Sequence, residues 1–134
     1  MRKSLFILVF LILILSACSG DAKEYKFYGD SNNWLVKYET EISKEREWAD
    51  YSIEYIGEDP VPEVFNYTIK SSWFEFGTNE EKLNEEDKVH SGNSECTGPP
   101  QNDESCEASI SKNEKIKAIL DWFGESEVIE LQIN

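Results

Sequence analysis

The stretch IKAILDWFGESEVIELQI, residues 116–133, decides the class of the fold. Its second half alternates Ile129, Leu131 and Ile133 with Glu130 and Gln132. That period of two marks a strand with one buried face, and a strand needs a partner. The first half admits two readings. Ser111-Lys112-Asn113-Glu114 matches a helix capping box, and Ile116, Ile119, Leu120 and Phe123 follow at helical spacing up to Gly124. As a strand, the same residues set Ile116, Ala118, Leu120 and Trp122 on one face. A hairpin turning at Gly124-Glu125-Ser126 gives the last strand its partner directly, so the hairpin is the expected reading and the helix its alternative.

Upstream, the same period recurs. Trp34, Val36, Tyr38 and Ile42 alternate with Lys37, Glu39 and Glu41; Ala49, Tyr51, Ile53 and Tyr55 alternate with Asp50, Ser52 and Glu54. Phe65, Tyr67 and Ile69 form a third set, and Trp73-Phe74-Glu75-Phe76 a fourth that stops at Gly77. Asn79 to Asp87 is polar and reads as loop, or at most one helical turn. No repeat or linker interrupts the pattern. The expectation is one all-β domain over residues 24–134, an antiparallel β-sandwich of immunoglobulin-like architecture closed by a C-terminal hairpin.

At the other end of the chain, Arg2 and Lys3 precede the apolar run LFILVFLILIL, residues 5–15. Eleven residues as a helix reach about 16 Å, half a bilayer core, which suits a signal peptide better than a membrane span. Leu15-Ser16-Ala17-Cys18 then resembles the lipobox of bacterial lipoproteins. The resemblance implies removal of residues 1–17 as a signal peptide, with Leu15, Ser16 and Ala17 read by the peptidase. It further implies a diacylglycerol anchor on Cys18, with acyl chains such as palmitate, at the outer face of the bacterial cell membrane. Residues 18–23 would be the lipidated cysteine and a short polar tether.

Cleavage there removes two bases and no acid, leaving 11 Lys and Arg against 27 Asp and Glu, a net charge of −16. Such a balance argues against nucleic acid and permits cations, basic peptides or basic proteins as partners. A surface kept soluble by its charge is the plainer alternative.

Cys96 and Cys106 are separated by nine turn-rich, polar residues. Outside the cytoplasm the pair reads as a disulfide, worth roughly 2.5–3 kcal/mol in the chain-entropy model. Zinc is poorly served by two cysteines and one distant histidine. Calcium is better motivated, by Glu80, Glu81, Glu85, Glu86 and Asp87 and by Asp103, Glu104 and Glu107. No segment has the alternating acidic loop of a calcium hand, however, and solvated charge is favoured over a site.

His90 is the single histidine, in the polar context Lys88-Val89-His90-Ser91-Gly92, and reads as a solvated loop residue. A hydrolase would have to rest on His90 or on a carboxylate pair, and with 27 acids a chance pair carries no information. Trp73 and Phe74 offer rings for stacking on a ligand, although core packing is favoured.

The spaced set Gly29…Asn33-Trp34, Tyr55-Ile56-Gly57, Tyr67-Thr68-Ile69, Gly77, Cys96…Cys106 and Trp122 through Leu131 is similar to a family of small uncharacterised lipoproteins of Bacillus-type bacteria. The resemblance favours the terminal hairpin and implies no activity. The expected function is therefore a membrane-anchored, non-enzymatic binding module for a basic partner or a cation, immunity or inhibition among its forms. The alternative is an extracytoplasmic hydrolase.

Overall fold

The computed structural model describes residues 22–43, 46–72, 74–97 and 111–134. They form eight strands: β1 Lys23–Asp30, β2 Trp34–Ile42, β3 Arg46–Tyr55, β4 Phe65–Lys70, β5 Glu75–Glu81, β6 Val89–Thr97, β7 Ile116–Trp122 and β8 Glu125–Ile133. All neighbours are antiparallel, in the order β5-β4-β7-β8-β1-β2-β3-β6.

This is one continuous sheet curled into a nearly closed barrel, and it overturns the expected sandwich. The joint that decides it is short. Phe27 faces Ile133 and Tyr28 faces Gln132, so β1 bonds to β8 as well as to β2. That pairing fuses what would otherwise be two sheets. Alternation of apolar and polar residues reports only that one face is buried. It is the same whether that face meets a second sheet or the far wall of a barrel.

The alternation is clear in β2, β4 and β7, where every second residue is buried. Phe27, Trp34, Val36, Ile53, Phe65, Ile69, Ala118 and Leu120 fill the interior. Thr40 is the buried polar residue of the set, and its hydroxyl donates to the Trp48 carbonyl at 3.1 Å. Outward positions carry Lys26, Lys37, Glu39, Asp50, Lys117 and Glu130. Apolar inside and charged outside is the polarity of a barrel surrounded by water, opposite to that of a barrel embedded in lipid.

The strand reading of residues 116–122 is the one observed. β7 and β8 pair from Ile116 with Leu131 to Trp122 with Glu125, so the turn is Phe123-Gly124, one residue earlier than expected. Three strands differ from the sequence reading. β1 lies where none was assigned; β5 runs through Gly77 to Glu81; and β6 lies where no strand was assigned, with His90 read as a loop residue.

Because neighbours are antiparallel, each end of the barrel collects alternate connections. The upper end, reached by β1 at Asp30, holds residues 31–33, 56–64, 82–88 and 123–124. The lower end holds the start of β1 at Lys23, the approach to β7 and the end of the chain.

Candidate functional site

Between β5 and β6 there is no ladder, and side chains close the barrel instead. A bulge prepares this seam. Tyr67 faces Thr78 but Phe65 faces Glu81, so β5 carries one extra residue. Glu80 takes a positive φ of 58°, and its N–H donates to Asn66 Oδ1 at 2.8 Å. The extra residue changes the phase of the strand and swings Glu81 inward, a recognised use of bulges. His90, opposite the buried Ile53, also points inward from β6.

The result is a line of four side chains. Glu81 Oε2 lies 3.5 Å from His90 Nδ1, His90 Nε2 lies 3.3 Å from the Tyr67 hydroxyl, and that hydroxyl lies 2.6 Å from the one on Tyr51. Gly92, opposite Tyr51, leaves the room for its ring: a Cβ there would meet the Tyr51 hydroxyl at 2.2 Å. His90 is thus not the solvated loop residue the sequence suggested. Its side chain is 16% exposed, with the rings of Phe65, Tyr67 and Tyr51 around it.

Carboxylate, imidazole and hydroxyl in sequence resemble a proton relay. The relay ends, however, on a phenol that burial and the Tyr51 hydroxyl hold above the ordinary tyrosine range. Tyr67 is 5% exposed, and its oxygen meets His90 and Tyr51 across the seam. What the geometry does is lock β4, β5, β3 and β6 together across the missing ladder.

Removing the central hydroxyl tests this. Tyr67→Phe is expected to lower the unfolding free energy by about 1–2 kcal/mol, the cost of a buried hydrogen-bonded pair left half-made. It should also change the alkaline limb. In the unfolded chain tyrosine ionises near pH 10, whereas burial raises Tyr38, Tyr55 and Tyr67 above that in the fold. Unfolding then releases protons, so stability present below about pH 10 falls as pH rises beyond it. Tyr67→Phe should fall less steeply. Urea titrations at pH 8 and above pH 10 that show identical slopes for both proteins would refute the assignment.

The upper end has a different character. Ser31 accepts the N–H groups of Asn33 and Trp34 and donates to Glu127, while Asn33 Nδ2 donates to the other oxygen of Glu127 at 2.7 Å. The Asn33 carbonyl takes the Ile56 N–H, and the Lys88 carbonyl takes that of Tyr55. The upper connections are therefore held to one another.

On this braced rim stand exposed apolar side chains: Phe123 at 70% accessibility, Ile56 at 44%, Val64 at 43% and Val61 at 36%. Phe123 has a φ of 48° and Gly124 one of 79°, as a two-residue hairpin turn requires. A left-handed conformation suits Asn there and costs an L-residue such as Phe roughly 1–2 kcal/mol. Val64 ends the connection into β4, and β4 pairs with β7, the strand that runs up to Phe123. Beside them a groove of about 510 Å³ is lined by Val61, Pro62, Val64 and Leu83 together with charged neighbours.

Asp30, Glu58, Asp59, Glu63, Glu85, Glu86, Asp87 and Glu125 are exposed around the upper rim, against Lys82 and Lys88. At the lower end, segments 22–24 and 111–115 carry Lys23, Lys112 and Lys115 against Glu24 and Glu114.

Of the residues singled out in the sequence, Leu15, Ser16, Ala17, Cys18, Trp73, Asp103, Glu104, Cys106 and Glu107 lie outside the described residues. Cys96 belongs to β6, opposite Glu47, but its proposed bond to Cys106 falls outside them too. Phe74 is not an exposed anchor: it stacks on Tyr38 and Phe76 with centroids 5.5 and 5.7 Å apart. The first acidic cluster is split, with Glu80 and Glu81 on β5 and Glu85, Glu86 and Asp87 in the turn beyond. Among the described residues no three His, Cys, Asp or Glu side chains gather as a metal site. The upper rim was missed because an exposed Phe in a hairpin turn has the same letter as a buried one. Compared with family models, curated proteins and solved structures, the chain matches none of them.

Proposed function

We propose that the chain is a lipid-tethered, extracytoplasmic barrel that works by binding a basic partner. The lipobox at residues 15–18 and the apolar run before it support the address. The −16 charge that would remain after cleavage supports the chemistry of the partner. The observation that carries the reading furthest is the filled interior. Phe27, Trp34, Phe65, Ile69 and Leu120 occupy the space in which a ligand-carrying barrel would hold a small molecule. Recognition then belongs to the outer surface and the rims, where acidic side chains predominate.

Cross-linking the tethered protein on intact cells, followed by affinity measured against ionic strength, tests the reading. The expected partner is basic at the contact, and its affinity should fall about tenfold or more between 0.05 and 0.5 M salt, as screening shortens the reach of the charges. Binding indifferent to salt, or a turnover abolished by His90→Ala, would overturn it.

A further inference from the structure

The upper rim is the docking surface, we infer: Phe123 is its anchor, the Val61–Leu83 groove its second pocket, and a protein segment that sets an apolar side chain among Lys or Arg its occupant. The inference deepens the binding reading above and rests on it. Three observations converge.

The first is that four of the six exposed large apolar side chains among the described residues stand at one end of the molecule, Val128 and Ile133 lying elsewhere on β8. Phe123, Ile56, Val64 and Val61 come from two separate connections, and the strands that Val64 leads into and Phe123 follows, β4 and β7, are paired. Exposed apolar residues scattered singly mean little, but a contiguous patch rimmed by charge marks an interaction site. Aromatic anchors in the centre of such patches carry most of the binding energy in known interfaces.

The second is conformational. A hairpin turn with two positive φ values favours Asn-Gly, yet here Phe precedes Gly124 and is 70% exposed. Neither the turn nor the core explains that choice of residue, and strain kept at an exposed site points to function.

The third is charge complementarity. Exposed acids outnumber lysines around the rim as a whole, while the groove itself balances Glu63 and Glu85 against Lys82 and Lys88. A basic segment is therefore drawn in and an acidic one repelled. The patch also faces the right way for a partner arriving from outside. β1 begins at the lower end, at Lys23, five residues after Cys18, so the lipid would hold the lower end to the membrane and point the upper rim outward.

The test uses the mature lipidated protein in neutral-lipid nanodiscs. Its probe is a synthetic peptide alternating Lys with Leu and Phe, beside a counterpart with Glu in place of Lys. Phe123→Asn is the decisive variant, because Asn-Gly suits the turn and the melting temperature should stay level or rise. Affinity for the Lys peptide should nevertheless drop about tenfold or more. The double variant Val61→Ser, Val64→Ser should lose about fivefold, whereas Val128→Ser, exposed on the outer wall of β8, should lose nothing. The Glu peptide should not bind.

Salt-sensitive binding of the Lys peptide that survives Phe123→Asn would overturn this surface while leaving the basic-partner reading in place. Failure of the Lys peptide to bind at any salt concentration would remove both. Phe123-dependent self-association in sedimentation would assign the patch to a second copy, and Phe123-dependent attachment of an anchorless Cys18→Ala chain to vesicles would assign it to lipid. Either result overturns the proposal.

Discussion

Replacing Trp34 by alanine is expected to lower the unfolding free energy by about 3–5 kcal/mol. Trp34 opens β2 and has no exposed surface. Its indole meets Tyr55 and Trp122 edge-on at 5.1 and 5.3 Å and Phe65 at 5.1 Å, so one side chain joins β2, β3, β4 and β7 under the upper rim. Deleting it removes the transfer energy of a large ring and leaves a hole that three other aromatic rings must collapse to fill. Domains of this size are stable by only about 5–15 kcal/mol in total, so the variant should be partly unfolded at 37 °C. Trp34→Phe should behave differently. The indole Nε1 is buried with no acceptor among the described residues, and phenylalanine removes that donor along with some volume. The two effects oppose each other, and a net loss of about 1–2 kcal/mol is expected. Urea unfolding of both variants checks the pair. A loss below about 1 kcal/mol for the alanine variant would contradict the packing described.

Cys18→Ala is expected to transfer nearly all of the protein from the membrane fraction to the medium, or to leave it as uncleaved precursor. The thiol of Cys18 is the group that would carry diacylglycerol, and stable anchoring needs two acyl chains at about 0.8 kcal/mol for each buried methylene. Without them the attachment left to a cleaved chain is electrostatic. Lys23, Lys112 and Lys115 at the lower end attract an anionic surface only weakly, and the net charge of the whole domain opposes them. Fractionation with metabolic lipid labelling gives the answer, and an unlabelled wild-type protein, or a mutant retained as before, would refute the anchor.

How much of this was legible in the sequence depended on what each strand turns inward. β2, β4 and β7 put Trp, Val, Tyr, Phe, Ile, Leu and Ala inside, so their period of two stood out. β6 turns His90, Gly92 and Ser94 inward, facing Ile53, Tyr51 and Ala49. Small and polar residues there make room for the Tyr51 ring and the seam, so no apolar stripe announces the strand. In β1 the inward Phe27 and Gly29 are masked by the outward Tyr28, whose hydroxyl bonds to Glu39 at 3.0 Å rather than to the core. Gly29 itself was visible as a letter, but not that Ile129 and Leu131 press within 2.7 Å of where its Cβ would stand. The distinction between sandwich and barrel was not legible at all. It hangs on two residue pairs between β1 and β8, and nothing in the alternation of Phe27 or Ile133 names its neighbour. The Glu81–His90–Tyr67–Tyr51 line was hidden for a similar reason, since a one-residue bulge sets which face Glu81 occupies.

The place of β1 between β2 and β8 has a mechanical consequence. All eight of its residues face partners on β2, and Phe27 and Tyr28 also face β8. A protein held by lipid below and by a partner above is stretched along its strands. Under the proposed tether and partner, the load would enter at Lys23, the start of β1, and leave through the Phe123-Gly124 turn at the head of β7 and β8. Antiparallel ladder bonds lie across the strand direction, so a pull along β1 loads them together in shear instead of opening them one after another. Under the proposed tether the first strand of the domain would thereby be its force-bearing element, held by β2 from Lys23 onward and by β8 at Phe27 and Tyr28.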